Sequence, residues 1–234
     1  MMKIGFIGLG NMGGSLARLV SQDERYRSEL LLANRSRDKA EKIATEVGGQ
    51  SASNADVFAQ AEVIFLGIKP AQFADLLTEY QEILEKRESL LLVSMAAGLS
   101  LEILEKLTPS HHRWIRIMPN TPVAVGEGVI TYALSQQANQ VDEDLLRELL
   151  SSAGLLVKLE EKQLDAATAL AGCGPAFVYL FIEALADAGV RAGLSRDISL
   201  ELANQTLLGA AKLSRVSGQH PAQLKDQVCS PAGS

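Results

Sequence analysis

The fold is decided by the stretch "KIGFIGLGNMGGSLARLVSQ", residues 3–22. Its first part, "KIGFIG", is a short apolar run that ends in glycine, which is typical of a buried strand. From residue 11 the apolar residues recur at helical spacing instead, namely at Met12, Leu16, Leu19 and Val20. A buried strand that passes through glycines directly into a helix predicts the first half of a βαβ unit.

Three glycines of this stretch, Gly8, Gly10 and Gly13, are spaced as GxGxxG. The motif alone is weak, but between a strand and a helix it predicts a dinucleotide-binding loop. Gly8 allows the tight turn, Gly10 lets a pyrophosphate approach the backbone, and Gly13 lets the helix pack close to the strand. The N–H groups of Asn11 and Met12 would then face the pyrophosphate. The alternative is a glycine-rich turn that binds nothing.

The alternation of strands and helices continues to about residue 160. Further strands are predicted within 29–34, 61–70, 89–98, 113–119, 128–134 and 155–159, and helices within 36–48, 101–107 and 141–154. Continuous apolar strands that alternate with helices predict an α/β protein with a doubly wound, mostly parallel sheet covered on both faces. We therefore expect a Rossmann-type dinucleotide-binding domain over residues 1–160.

Strand signals stop after residue 160, and two long helices are predicted over 174–193 and 195–218. The first is apolar on every side from Ala176 to Ile182, and such a helix must be buried all round. Residues 161–234 form a thin domain to bury it alone, so we expect an all-helical domain that pairs with a second copy in an intertwined homodimer. The alternative is that this helix packs only on its own N-terminal domain.

Composition narrows the class of protein further. The chain has 234 residues, 47% of them apolar and 21% charged, which is ordinary for a soluble globular protein. A net charge of -6 argues against a general nucleic-acid binder. The two cysteines, Cys173 and Cys229, lie in no metal-binding or disulfide pattern. Since the N-terminal apolar run is too short for a signal peptide or a membrane span, we expect a cytoplasmic protein with no metal, membrane or nucleic-acid partner.

The end of the second predicted strand, "ANRSRDK" (33–39), indicates which dinucleotide binds. A site for NAD would carry Asp or Glu here to accept a hydrogen bond from the ribose 2′-OH. Instead neutral Asn34 is followed by Arg35, which can pair with a 2′-phosphate as a fork, and by Ser36, which can donate one more hydrogen bond. NADP(H) is therefore favoured, and NAD(H) stays open as the alternative.

Three other strand ends carry unusual residues. These ends are of interest because ligands of open α/β sheets bind outside the carboxyl ends of the strands. They are "GIKP" (67–70), "SMAAG" (94–98) and "RIMPNTP" (116–122). The small Ala96 and Ala97 allow a nicotinamide ring to lie close to the backbone. Asn120 follows Pro119 and forms a rigid polar tip, for which the alternative is a well-formed turn without a ligand.

Taken together, six segments resemble the pyrroline-5-carboxylate reductase family. In chain order they are "FIGLGNMG", "IKPAQ", "MAAGLS", "RIMPNTPVAVGEGV", "ALAGCGPAFVYLFIEALADAGVRAGL" and "QLKDQVCSPAGS", between residues 2 and 234. The resemblance implies reduction of the cyclic imine 1-pyrroline-5-carboxylate to L-proline by NAD(P)H, the last step of proline biosynthesis. It also implies a Rossmann domain (1–160) with a helical dimerisation and substrate domain (161–234), in dimers that are often built into decamers or other rings.

Carried over position by position, the resemblance implies a set of cofactor-binding residues at the strand ends. They are Ile7, Gly8, Leu9, Gly10, Asn11, Met12, Gly13, Asn34, Arg35, Ser36, Asn54, Gly67, Ile68, Lys69, Pro70, Met95, Ala96, Ala97 and Asn120. The resemblance also implies a substrate-carboxylate loop formed by Ser230, Pro231, Ala232, Gly233 and Ser234, in which Ser230 is the candidate catalytic residue. Ala232 stands where the family usually has Gly.

The proton donor is harder to assign, although the reaction itself needs neither a metal nor a nucleophile. In the family a Thr just after the loop takes this place, and it would fall one residue past Ser234. We therefore expect this chain to be a truncated form, or one whose further helices are not included. His111, His112 and His220 are candidates by residue type only, and we expect His111 and His112 to be surface residues.

Two other functions are alternatives to a pyrroline-5-carboxylate reductase. One is an NADP(H)-binding sensor or scaffold without reductase activity. The other is a reductase of 3-hydroxy acids, which would rely on a catalytic lysine where this chain has "GCGPAFVYL" (172–180), and that stretch contains none.

Overall fold

The computed structural model describes residues 2–229. The chain divides into two compact units between Pro175 and Ala176. The first unit is built on a sheet and the second is made of helices.

An eight-stranded sheet forms the first unit. Its strands are β1 (Ile4–Ile7), β2 (Leu30–Ala33), β3 (Gln50–Ser51), β4 (Val63–Leu66), β5 (Leu91–Ser94), β6 (Arg113–Pro119), β7 (Gly128–Leu134) and β8 (Gly154–Lys158). They lie in the order β3-β2-β1-β4-β5-β6-β7-β8, and every neighbouring pair is parallel except β6 with β7. The predicted α/β class with a mostly parallel, Rossmann-type sheet is confirmed.

Both faces of the sheet are covered because its central strands are apolar on both sides. β1, β2, β4 and β5 are buried at every residue, and Phe6 stacks on Phe65 of the neighbouring strand at 4.7 Å between ring centroids. The helices of this unit are α1 (Asn11–Val20), α2 (Glu24–Arg27), α3 (Arg37–Val47), α4 (Asn54–Gln60), α5 (Phe73–Glu79), α6 (Gln81–Lys86), α7 (Leu101–Lys106), α8 (Gln140–Leu149) and α9 (Leu164–Ala167). α1, α3 and α8 cover one face, and α4 to α7 with α9 cover the other.

Short tight turns connect several of these elements. They are the 3-10 turns Pro70–Gln72, Thr121–Val125, Ser151–Ala153 and Glu161–Gln163, and the π-helical turn Thr168–Gly172. Ser100 caps α7 as predicted, since its hydroxyl oxygen accepts a hydrogen bond from the N–H of Ile103 at 3.3 Å. The short elements α2, α4, α5, α6 and β3 were not predicted from the sequence.

The second unit is helical, with α10 (Gly174–Arg191), α11 (Arg196–Ser217) and α12 (Pro221–Val228). No strand follows Lys158 within the described residues. The described residues of one chain do not bury α10 on all sides, because Phe177, Leu180 and Phe181 are 59%, 60% and 65% exposed. By length and composition alone, the helical stretch Glu161–Arg191 could cross a membrane. An apolar surface of this kind calls for a partner that covers it.

Candidate functional site

A cleft of about 780 Å³ opens at the carboxyl ends of β1, β2 and β4. Many of the predicted cofactor residues line it: Ile7, Gly8, Gly10, Asn34, Arg35, Ser36, Asn54, Gly67, Ile68 and Lys69. These residues come from four separate stretches of sequence, and the parallel sheet brings them together because the carboxyl ends of its strands meet at one edge.

The glycines of the GxGxxG motif differ in why a side chain is disfavoured at each position. Gly8 adopts φ +92, and a Cβ atom there would lie 2.7 Å from the carbonyl carbon and oxygen of Gly67. A Cβ atom on Gly13 would overlap the carbonyl oxygen of Gly8. At Gly10, by contrast, a Cβ atom would meet nothing within 4 Å. Gly8 and Gly13 are therefore required by the protein itself, whereas Gly10 leaves its backbone open to a ligand.

The open space at Gly10 lies at the start of α1. Gly10 is the N-cap residue and provides no side-chain hydrogen bond to the first turn, and that turn carries no acidic residue. The free N–H groups and the positive end of the helix dipole favour an anion at this point. The loop thus fits the pyrophosphate of a dinucleotide.

Asn34 ties the glycine-rich loop to the end of β2. Its Oδ1 accepts the backbone N–H of Leu9 at 3.0 Å, and its Nδ2 donates to the carbonyl oxygen of Ser36 at 3.2 Å. Because the Leu9 side chain is fully buried and its N–H is already bonded, Leu9 shapes the loop from within and does not line the cleft. Asn34 does line it, and it holds two walls of the cleft in place.

Arg35 is a cation of the cleft wall that stays available to a ligand. It lies exposed on the cleft wall and makes no hydrogen bond or ion pair within residues 2–229. Arg37 is different, because its guanidinium pairs with Glu41 at 2.8 Å on the exposed side of α3. The position of Arg35 beside Ser36 fits the 2′-phosphate of NADP(H).

One wall of the cleft was missed from the sequence. It consists of Ala71, Gln72, Asp75, Leu76 and Glu79, from the 3-10 turn after β4 and from α5. The spacing of residues 72, 75, 76 and 79 places them on one helix face, and this spacing was the available signal. Tyr80 follows this wall, and burial raises the pKa of its phenol, as does its hydrogen bond to Glu79, whereas a hydrogen bond with Asn54 lowers that pKa.

Other predicted cofactor residues do not line this cleft. Asn11 is exposed at the start of α1, Met12 packs partly against the core, Gly13 is buried, and Pro70 is exposed. After β5, Met95 is half-buried, Ala96 is only 1% exposed and Ala97 is exposed. Met95 nevertheless borders the cleft, because its Cε lies 3.0 Å from where a Cβ on Gly67 would be.

Asn120 is buried, with 8% exposure, and both atoms of its amide are bonded within the protein. Its Oδ1 accepts the N–H of Val129 at 2.8 Å, and its Nδ2 donates to the carbonyl oxygen of Ala171 at 3.0 Å. It therefore joins β7 to the π-helical turn. The predicted substrate loop, Ser230 to Ser234, lies outside the described residues.

The residues that line the cleft include no histidine. His112 was expected at the surface, and this expectation was wrong, because the residue is 2% exposed. Its Nδ1 accepts the N–H of Leu90 at 3.2 Å, so Nε2 carries the proton and donates to the carbonyl oxygen of Leu84 at 3.0 Å. Burial, with a smaller effect of His111, lowers the pKa of His112 to about 4. His111 is exposed as expected, and His220 caps α12.

Metal-binding groups of three or more His, Cys, Asp or Glu residues are absent from residues 2–229. Asp75 and Glu79 place carboxylates on one wall of the cleft, whereas its other polar groups are backbone N–H groups, the cations Arg35 and Lys69, the Ser36 hydroxyl and side-chain amides. The latter groups bind anions and orient a ligand.

Comparison with known proteins gives matches over nearly the whole chain. Residues 161–234 match the family model "Pyrroline-5-carboxylate reductase dimerisation", and residues 3–98 match "NADP oxidoreductase coenzyme F420-dependent". A pyrroline-5-carboxylate reductase of Pisum sativum is 42% identical over 231 residues, covering 98% of this chain and 84% of the relative. One of Glycine max is 44% identical over 237 residues, with the same coverage. A crystal structure of Plasmodium falciparum pyrroline carboxylate reductase with NADP bound matches with a TM-score of 0.88 at 35% identity, covering 100% of this chain and 86% of that one.

Proposed function

The chain belongs to the pyrroline-5-carboxylate reductase family, and we propose that it reduces the C=N bond of 1-pyrroline-5-carboxylate to give L-proline. This would be the last step of proline biosynthesis. The observation that carries the proposal is the cleft in which the open backbone of Gly10 and the unpaired Arg35 lie at one edge of the sheet. The alternative of a sensor or scaffold without activity is not supported by the relatives.

NADP(H) is the cofactor, and the residues of the cleft fit it. The loop from Ile7 to Gly13 would hold the pyrophosphate, while Arg35 and Ser36 would hold the 2′-phosphate. Asn54 and the face of α5 would form the wall beyond them. When bound, the cofactor supplies the hydride that the imine carbon accepts.

The chain contributes position and electrostatics to this reaction. Reduction of the C=N bond adds a hydride to the carbon and a proton to the nitrogen, and the protonated imine accepts hydride far better, so no nucleophile of the protein is needed. The chain has to hold the substrate in position and stabilise its charges. We assign the substrate carboxylate to residues 230–234, whose backbone N–H groups and Ser230 hydroxyl are the expected donors. Met95, Ala96, Ala97 and Asn120 are proposed to shape the nicotinamide side.

The helical region 161–234 is proposed to form the dimerisation and substrate domain, and residues 1–160 the cofactor domain. The exposed apolar side chains of α10 and α11 need cover, and a second copy supplies it, as the match to a dimerisation family supports. This assigns the exposed apolar side chains of the stretch Glu161–Arg191 to a protein interface. We further propose that the dimers act in the cytoplasm and can assemble into decamers or other rings.

The proposed function is tested by following NADPH oxidation after 1-pyrroline-5-carboxylate is added to the protein. We expect turnover that saturates with the imine and proline as the product, identified by mass spectrometry. NADPH binding without turnover at high protein concentration would contradict the proposal for this chain. Sedimentation of the same preparation would establish the size of the assembly.

A further inference from the structure

Arg116 of β6 is a buried cation that contacts a helical segment far along the chain. The residue is 4% exposed. Its Nη1 lies 3.2 Å from Glu161 Oε1, and its Nη2 lies 3.1 Å from Asp165 Oδ1. Glu161 Oε1 also accepts the backbone N–H of Leu101 at 2.6 Å. One guanidinium thus connects the sheet, the start of α7 and the segment 161–165.

Asn120 makes a second connection to the same segment. Its Nδ2 donates to the carbonyl oxygen of Ala171 in the π-helical turn Thr168–Gly172, where the N–H of Cys173 reaches the carbonyl oxygen of Thr168 at 3.0 Å. Turns of this kind are rare and occur often at functional sites. Arg116 and Asn120 therefore hold the segment 161–172 at both of its ends.

Stability alone does not account for Arg116. The guanidinium is buried, but the side chains of its partners Glu161 and Asp165 are 30% and 83% exposed, and pairs with exposed partners contribute little to stability. In addition, the Nε of Arg116 is buried without a partner among residues 2–229, which makes the arrangement more costly. What a forked guanidinium provides, and an apolar side chain does not, is a fixed direction toward two carboxylates.

The position of Arg116 in the sheet connects it to the proposed reaction. It pairs in register with Ser94, the last residue of β5, which directly precedes Met95, Ala96 and Ala97. The cleft at β1, β2 and β4 is built from other residues. In the proposed site, the substrate side at residues 95–97 would thus depend on other contacts than the adenosine side, which is the cleft at β1, β2 and β4.

We propose that Arg116 and Asn120 are positioning residues, which fix the segment 161–172 at the carboxyl ends of β5 and β6 so that the substrate side of the site keeps its geometry. This inference rests on the proposed function. It predicts that breaking either contact lowers turnover far more than it weakens the binding of NADPH, since small displacements near reacting atoms reduce rates strongly.

The test compares Arg116→Met with Arg116→Lys, and Asn120→Ala with Asn120→Asp. Asn120→Asp keeps the acceptor for Val129 and removes the donor to Ala171. We expect kcat to fall about 10- to 100-fold in Arg116→Met, with partial recovery in Arg116→Lys, while the Kd for NADPH from fluorescence stays within about twofold. Glu161→Gln combined with Arg116→Met should lose less than the product of the two single effects, because both remove the same contact.

Hydrogen exchange gives a readout that does not depend on activity. In Arg116→Met, amides of residues 161–172 should exchange faster, while those of α1 and α3 keep their protection. The matched control is Arg113→Met, on the same strand, whose guanidinium pairs with the buried Asp142 at 3.0 Å. This control should lower Tm and leave kcat unchanged.

Unchanged kcat and unchanged exchange in Arg116→Met would overturn the inference. It would also be overturned if the Kd for NADPH rose as much as kcat fell, or if Arg113→Met lowered kcat equally. If the unsubstituted chain shows no turnover while Arg116→Met still speeds exchange in 161–172, the proposed function fails and the contact with the segment stands.

Discussion

Gly13 lies so close to the carbonyl oxygen of Gly8 that a single methyl group on Gly13 would overlap it. The start of α1 is thereby pressed against the end of β1. Gly10, between them, has a φ of -65, which other residues adopt, and free space where a side chain would project. The same motif thus contains glycines needed for folding and one needed for a ligand.

Gly13→Ala and Gly10→Ala should separate these two needs. We expect Gly13→Ala to lower the free energy of unfolding by about 1–3 kcal/mol, because the methyl group overpacks the strand–helix junction. Gly10→Ala should change that free energy by less than about 0.5 kcal/mol. Its Kd for NADPH should rise about tenfold or more, since the methyl group occupies the approach to the backbone. Chemical denaturation and fluorescence titration measure the two quantities, and equal NADPH affinity in Gly10→Ala would contradict the role of the loop.

Replacing Arg35 should change the preference between the two dinucleotides. Arg35→Ala removes a charge-assisted pair with the 2′-phosphate, so the Kd for NADPH should rise about 10- to 100-fold, as expected for a loss of about 1.5–3 kcal/mol. The Kd for NADH, which lacks that phosphate, should stay within about twofold. Arg37→Ala is the matched control, because Arg37 is engaged with Glu41. A parallel loss of NADH binding in Arg35→Ala would point to a general effect on the loop.

The stability of the protein should fall as the pH is lowered from neutral through the range in which His112 titrates. The pKa of His112 is lowered to about 4 in the folded state, against about 6.5 when unfolded. The unfolded chain therefore takes up the proton first, and the stabilisation present above about pH 6.5 is lost as the pH falls toward about 4. This loss should reach about 2–4 kcal/mol.

Urea unfolding at a series of pH values measures this slope, and His112→Gln provides the comparison. The variant should be less stable at neutral pH, because the hydrogen bonds with Leu90 and Leu84 are disturbed. Its stability should depend less on pH in the same range. An identical slope in both proteins would mean that other groups carry the pH dependence.

A charge on the apolar face of α10 should dissociate the dimer. Phe181 is 65% exposed in the single chain, and Phe181→Glu would place a carboxylate in the proposed interface, where an unpaired charge is strongly unfavourable. Light scattering should then give the mass of a monomer at concentrations at which the unsubstituted protein is dimeric. Val141→Glu on α8, where the side chain is 73% exposed, is the control and should leave the mass unchanged. A dimeric Phe181→Glu would place the interface elsewhere.

Much of the cofactor domain could be predicted because its signals are local. The apolar strands, the glycine spacing and the run from Asn34 to Ser36 can each be recognised from neighbouring residues. The parallel sheet then brings them to one edge. The wall formed by α5 was missed, because this helix has only seven residues and directly follows the turn at Pro70. Short helices carry too few turns to show a clear period.

The environment of His112 was predicted wrongly and that of Asn120 was left open, because the partners of both side chains are distant in sequence. His112 reads as part of a polar loop, yet its ring is bound by the backbone at Leu84 and Leu90. Asn120 reads as a polar tip, and the structure engages its amide with Val129 and Ala171. Only the tertiary fold supplies these contacts, so no local pattern could reveal them.

The central place of β1 has a kinetic consequence. Ile4 pairs with Leu30 on one side and with Val63 on the other, so the first strand must find two partners that lie far along the chain. Long-range pairings of this kind slow folding, whereas single helices form within about a microsecond. The cleft that these strands share is thus completed late. After dilution from denaturant, recovery of NADPH binding should lag behind the recovery of helical circular dichroism.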